Sequence, residues 1–441
     1  MRRMIYALLL LLCAAGAEGA RRVQTPEFPE TNHQIPTTAQ PDVGGVAMEL
    51  SLAVLAVLIA GAVYFGLYRR SRKGLWLVSL VSVVVLGFAW HGCVCPVGSV
   101  QNVALSLGDP SPSAIMTLTS PDGVGSYSIG WILATVFALP LLVALVFGRV
   151  FCGGACPLGA LQELVMVRPA RVNKTLDAAL GILPWVVLAI AVALAATGAG
   201  FVVCQRDPFV TIFRLGGSTR QVILAAAMLA LSVFVARPYC RWLCPYGVLL
   251  GLASRLSARH LTISPDGSCV SCRLCEGSCP VGAIEGPRPE PRDRRQGRAR
   301  LAWALLLAPV LLAAGGGLGR LSAEGLMWHH PDVVLYDRLI DEVDETIDVT
   351  DMTKETEAYR GVGGALELDL LREKFAAAKQ PIQRGMLFAG IFVGLVVALK
   401  WIVLCLRRGR DGYRPVASKC VSCGQCFAAC PLPDPKGDDH E

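Results

Sequence analysis

The chain has 441 residues, 54% hydrophobic and only 17% charged, with a formal net charge of +7 and a mean hydropathy of +0.52. Soluble domains carry about a quarter charged residues, so this balance excludes an ordinary soluble fold and points to a multi-span membrane protein. Much of the positive excess sits in PRPEPRDRRQGRAR; no aromatic or base-reading partners accompany it, so it reads as an orientation signal beside an apolar span, with no nucleic acid implied.

In chain order, MRRMIYALLLLLCAAGA reads as a secretory signal peptide over residues 1–17. Residues 18–47 are rich in Pro, Thr and Gln and read as a periplasmic segment. Apolar runs of membrane-spanning length, about 17–25 residues, fall near 48–68, 75–92, 129–148, 180–201, 220–236, 301–318 and 386–406. In the sixth run Gly315, Gly316 and Gly317 crowd the end. Lys and Arg collect in alternate loops: YRRSRKG, Arg149 to Lys174, Arg237 to Arg300, and RRGR. The positive-inside rule places those loops in the cytoplasm of a bacterial inner membrane.

This gives a five-helix membrane domain at 48–260, a cytoplasmic segment at 261–300, a helix at 301–318, a periplasmic insert at 319–385, a helix at 386–406 and a cytoplasmic tail at 407–441. In the insert, Val334, Leu335, Leu339, Ile340, Val343 and Ile347 have helical spacing opposite an acidic face. The segment reads as a cap over the membrane mouth or as a docking face for a redox partner. His329 and His330 read as solvated or capping residues.

Two segments carry a ferredoxin signature: Cys269, Cys272, Cys275 and Cys279-Pro280, then Cys420, Cys423, Cys426 and Cys430-Pro431. Three closely spaced thiolates hold one 4Fe-4S cluster, and the fourth cysteine, beside Pro, ligates the other. Zinc has no use for two crossed sets, and cytosolic disulfides are rare. Two 4Fe-4S clusters are expected, in one ferredoxin-like domain split by a membrane hairpin. Cys279 would then serve the second cluster and Cys430 the first.

A second motif, Cys-x-x-x-Cys-Pro-x-Gly, occurs at FCGGACPLG and YCRWLCPYG, on the cytoplasmic side. Cys152, Cys156, Cys240 and Cys244 could converge on a further cluster or metal, act as redox thiols, or be structural, with Pro and Gly simply turning the chain into a surface helix. A variant, HGCVCPVG, puts His91 where the first cysteine stands. By loop charge it faces the periplasm, as does Cys204. His91, Cys93, Cys95 and Cys204 are candidates for one metal site there. The alternative is a disulfide from Cys204 to Cys93 or Cys95.

RVFCGGACPLGALQEL and RPYCRWLCPYGVLL, with the ferredoxin signatures, resemble the NosR/NirI and NapH family of membrane iron–sulfur proteins. The resemblance covers roughly residues 75–285 and the tail. It implies a polytopic protein with cytoplasmic 4Fe-4S clusters, passing electrons from the quinol pool or cytoplasmic donors to periplasmic reductases. A large periplasmic flavin-binding domain of the NosR type has no room in residues 18–47.

The expected fold is an all-α polytopic membrane protein, about seven helices after a signal peptide, with a small split ferredoxin-like domain on the cytoplasmic side. The expected work is electron transfer between redox partners on either side of the membrane. Two other functions fit the same residues: a thiol-dependent copper reductase or assembly factor, and a redox-sensing regulator.

Overall fold

A computed structural model describes residues 45–92, 95–108, 129–167, 169–170, 172–263, 269–287, 294–330, 333–334, 336–337, 368–406 and 412–431. The expected signal peptide, Cys93 and most of the acidic insert lie outside the described residues. The chain is a helical membrane protein. Among the described residues, five segments are long and apolar enough to cross a bilayer: Glu49–Tyr68, Arg72–Ala89, Lys174–Ala196, Arg298–Met327 and Phe375–Cys405.

The expected third and fifth spans differ from this. Helix α4 (Ile129–Phe147) is apolar, but its apolar stretch Ile132–Phe147 is short for a span. Helix α7 (Thr219–Phe234) meets the short Pro208–Arg214 helix at 101°, and the two make one span only if taken together. The break sits at Leu215, whose φ of 50° is left-handed, followed by two glycines. Ser218 and Gln221 then form a capping box that restarts the helix.

Helix α1 (Gly45–Val63) and helix α2 (Arg72–Ser82) each run on into a π-turn, Tyr64–Tyr68 and Val83–Ala89. Ser71 caps α2, its hydroxyl accepting from the Gly74 amide at 3.3 Å. After Ala89 the chain reverses through His91 and Gly92, both at positive φ, and helix α3 (Pro96–Gly108) packs along helix α6 (Leu183–Ala196). Helices α5 (Pro157–Val165) and α8 (Pro245–Ala253) are short and lie with them around the main core. Tyr246, Phe151 and Phe209 are among its largest fully buried side chains.

Helix α9 (Arg294–Met327) and helix α10 (Leu368–Cys405) form a hairpin longer than the apolar runs at 301–318 and 386–406. The glycine triplet expected to crowd a span's end lies inside α9. Gly315 and Gly319 face Gly390 and Met386, and a Cβ on Gly390 would run into the Gly315 carbonyl. Small residues four apart let two membrane helices approach to backbone contact.

The hairpin's two flanks meet outside the helices. Strand β1 (Ile284–Glu285) pairs antiparallel with β2 (Arg414–Pro415), Ile284 opposite Pro415. The Val416 amide donates to the Ala283 carbonyl at 2.8 Å, and the Ser278 hydroxyl to the Gln425 carbonyl at 3.3 Å. Segments about 130 residues apart in sequence thus make one small unit.

Candidate functional site

Each CPxG sequence builds the same local device. Pro at the first helical position has its φ already set and needs no hydrogen bond there. It also pushes the residue before it into extended backbone: Cys156 has φ −81°, ψ 114° and Cys244 φ −67°, ψ 111°. The cysteine therefore stands as N-cap, its sulfur over the exposed amides of the first turn. The Gly247 amide donates to Cys244 Sγ at 3.3 Å. The Gly159 amide serves Cys156 in the same way, and Gly98 serves Cys95.

The four CxxxCP thiols do converge. Cys152, Cys156, Cys240 and Cys244 line one cavity with Arg149, Phe151 and Tyr246. Gln162, fully buried, donates to Cys240 Sγ at 3.2 Å. Pro96 and Val97 line the same cavity. Loop charge had set the HGCVCPVG copy on the opposite side of the membrane from this site. After the reversal at His91 and Gly92, the start of α3 nevertheless reaches this cavity through Pro96 and Val97. His91 itself is exposed, Cys93 lies outside the described residues, and Cys95 and Cys204 are free thiols close to one another.

A second cavity is lined by Cys279 together with Cys420, Cys423 and Cys426. The fourth cysteine of the first signature is thus in the company of the first three of the second. The Ala283 amide donates to Cys279 Sγ at 3.2 Å. Reciprocally, Cys430 lies within electrostatic range of Cys275, along with Cys269 and Cys272.

Between the two cavities runs a largely buried ion network. Arg237, 3% exposed, pairs with Glu163 and donates to the Cys152 carbonyl. Glu163 also pairs with Arg72, which donates to the Cys423 carbonyl. Burial raises the Glu163 carboxyl, but the Arg237 and Arg72 guanidiniums outweigh it and hold it below the usual range. Arg149 reaches Cys152 Sγ at 3.9 Å and the Ser418 carbonyl at 2.9 Å. The available signal was Arg three residues before Cys in both RVFC and RPYC.

Burial pushes the Cys240 thiol up to about 11 and the Cys423 thiol up to about 12. Such thiols are inert alone and lose their protons when a metal binds. Among the described residues no three His, Cys, Asp or Glu side chains are placed to hold a single metal ion. The thiols surround spaces instead of meeting at a point. That suits a cluster with several metal atoms better than tetrahedral zinc at about 2.3 Å from each sulfur. Amide, amide-side-chain and guanidinium donors around the sulfurs are the interactions that tune such clusters. His329 and His330 form no such set: the His329 ring meets Arg206 at 2.6 Å, and His330 is buried.

The family description "4Fe-4S binding domain" matches residues 74–109, 129–175 and 220–264. Those stretches hold the three CP motifs, not the two ferredoxin signatures. An uncharacterised protein of Methanocaldococcus jannaschii is 32% identical over 163 residues, 35% of this chain and 67% of that protein. Protein NirI of Paracoccus denitrificans is 32% identical over 231 residues, 50% of this chain and 32% of NirI. Regulatory protein NosR of Pseudomonas aeruginosa is 30% identical over 166 residues, 35% of this chain and 23% of NosR. The chain therefore spans about a third of NirI and under a quarter of NosR. No solved structure matches it significantly. With the CP motifs gathered round one cavity and the 4Fe-4S match falling on them, the chain belongs to the NosR/NirI-type family of membrane iron–sulfur proteins.

Proposed function

We propose that this protein carries electrons between a donor at its ferredoxin-like unit and a partner across the membrane, with two 4Fe-4S clusters held by crossed cysteine sets. Cys269, Cys272, Cys275 and Cys430 hold one. Cys420, Cys423, Cys426 and Cys279 hold the other. Cys152, Cys156, Cys240 and Cys244 hold a third metal centre. When bound, such clusters supply one-electron chemistry at potentials set by their surroundings. The chain's own part is to fix the spacing of the sites and the charge around them.

The observation that carries this reading is the company of Cys279, which shares a cavity with Cys420, Cys423 and Cys426. A bilayer core of about 30 Å is long for one electron step, and the CxxxCP cavity, joined to the Cys423 segment through Arg72, Glu163 and Arg237, supplies an intermediate position. Loop charge puts the ferredoxin-like unit in the cytoplasm, with quinol or a soluble reductant as donor and a periplasmic redox protein as acceptor.

Anaerobically purified protein is expected to contain about eight irons and eight sulfides for two cubanes, and more with the CxxxCP centre filled. Zinc in place of iron would sink the proposal. A reporter fused after Glu441 is expected to be active only in the cytoplasm. A second reading, a redox-sensing regulator, draws on the name of the NosR relative. It predicts cluster-dependent partner binding without sustained electron flux.

A further inference from the structure

The helix start at Cys156, with its glutamine clasp on a distant cysteine, has a structural double beside it. In the first, CPLGALQ starts α5 at Cys156 and ends at Gln162. The Gln162 side chain accepts from the Tyr239 amide at 3.1 Å and donates to Cys240 Sγ at 3.2 Å, so it clasps the partner cysteine and the residue before it. Gly159 leaves room for Cys240, whose sulfur would lie 3.7 Å from a Cβ there. In the second, CPVGSVQ starts α3 at Cys95 and ends at Gln101. The Gln101 side chain accepts from the Val203 amide at 3.2 Å and donates to Cys204 Sγ at 2.9 Å. Gly98 leaves room for Cys204, at 3.5 Å. Both glutamines are fully buried.

The partner segments also correspond. Cys240 is followed by Cys244-Pro245, and Cys204 by Asp207-Pro208. Cys244 and Asp207 are both N-caps of helices that begin at that proline. Asp207 is 4% exposed, with its carboxylate accepting from the Phe209 amide at 2.9 Å and the Tyr239 hydroxyl at 2.9 Å. Each oxygen keeps a free lone pair. Tyr239 joins the two cradles, its amide held by Gln162 and its hydroxyl by Asp207. A fully buried Gln spent on one thiol, facing another across a glycine, is a costly arrangement for inert cysteines.

We infer that Cys95, Cys204 and Asp207 form a further iron–sulfur site, a counterpart of the Cys156, Cys240 and Cys244 cradle with a carboxylate in place of one thiolate. The inference rests on the reading that the CxxxCP thiols hold such a centre.

The test compares full-length, anaerobically purified variants by iron, acid-labile sulfide and EPR. Cys204→Ser and Cys95→Ser are each expected to lose iron and sulfide, while the ferredoxin-type EPR signals persist and report a folded protein. Cys240→Ser should lose a different portion. Asp207→Asn, which keeps the cap, is expected to shift the spectrum of the affected centre with little loss of iron. If Cys204→Ser and Cys95→Ser retain wild-type iron and sulfide while Cys240→Ser does not, this inference fails and the CxxxCP centre stands. If Cys240→Ser also changes nothing, both fail. A disulfide between Cys204 and Cys95 or Cys93 in the purified protein, mapped by mass spectrometry, would likewise overturn it.

Discussion

The two ferredoxin signatures are nearly the same sequence in opposite settings. Around the first, Cys269 and Cys272 are exposed, and so are Val270 and Leu274. Around the second, Cys423 and Cys426 are buried, and Val421 and Ser422 with them. The cause is what lies underneath. Gly153 of the CxxxCP turn allows the Val421 and Ser422 carbonyls to within 2.7 and 2.8 Å of where a Cβ would stand. Arg149 holds the Ser418 carbonyl at 2.9 Å, Ser254 the Ala417 carbonyl at 3.0 Å, and Arg72 the Cys423 carbonyl. The first signature has looser anchors: Arg70 to the Ile263 carbonyl at 2.7 Å, and an exposed Lys174–Glu276 pair at 3.7 Å. One motif has thus been set facing outward and the other inward. On the proposed reading, a cluster at the outward motif would suit a soluble partner, and one at the inward motif exchange with the CxxxCP cysteines.

The largest test of that contrast removes the crossed ligands. Cys279→Ala is expected to cost the inner cluster, the one anchored by Cys420, Cys423 and Cys426, and about four irons with it. Cys430→Ala should instead damage the outer cluster at Cys269, Cys272 and Cys275. EPR of the two variants separates them. Loss of only the local cluster in each would make the signatures independent and leave the inner–outer contrast without a shared unit.

Next in size is Arg237. Removing one partner of a buried ion pair costs about 3–5 kcal/mol, because the other charge is left uncompensated. Here Arg72 still faces Glu163, so Arg237→Gln should fall at the lower end, read by denaturant unfolding. Loss of the cation should also lower the inner cluster's reduction potential and leave the outer one unchanged. Equal shifts at both clusters would erase the distinction. The same network sets an acid limit. The folded Glu163 carboxyl lies below the ordinary value of about 4.3. Its stabilisation is therefore complete above that pH and lost as pH falls through the folded value. Glu163→Gln should flatten the acid side of the stability profile, and an unchanged slope would show that Glu163 does not set it.

The hairpin that carries the tail back to the first signature can be pried apart directly. A side chain at Gly390 meets the Gly315 backbone. Overpacking of this kind costs about 1–3 kcal/mol. Gly390→Leu is expected to lower thermal stability and loosen the β1–β2 pairing, raising amide exchange at Ile284 and Arg414. Unchanged exchange there would mean the signatures hold together without the helices.

What the sequence disclosed follows from short-range rules. Cys-x-x-Cys-x-x-Cys spacing is local, so the two signatures can be read from the chain, and the turn into a short helix at each Cys-x-x-x-Cys-Pro-x-Gly is found where Pro and Gly place it. The apolar runs located α9 and α10, but not their true lengths, because hydropathy ends where the bilayer does and hydrogen bonding does not. Loop charge assigns a side of the membrane and carries no information on depth. It therefore says nothing of the turn at His91 and Gly92 after which α3 reaches the CxxxCP cavity. By loop charge Arg72, Arg149 and Arg237 read only as orientation signals, although each bonds into a cysteine segment. The glutamines at 101 and 162 gave a signal, CPxGxxQ twice, whose meaning needed the partner cysteines from distant segments.

The smallest expected effect concerns the outer signature's own ion pair. Lys174 and Glu276 are 3.7 Å apart, with the lysine side chain 95% exposed. Water screens such a charge, and fixing a long side chain cancels much of what remains, so exposed pairs contribute little. The inner network differs on both counts, since Arg237 and Glu163 are 3% and 8% exposed and already fixed by packing. Lys174→Met should therefore leave the melting temperature unchanged within error, at low and at high salt, under conditions where Arg237→Gln shows a clear drop. A loss from Lys174→Met comparable to that of Arg237→Gln would mean that the outer signature is clamped as firmly as the inner one. The two settings would then differ in exposure alone and not in how tightly the membrane domain holds them.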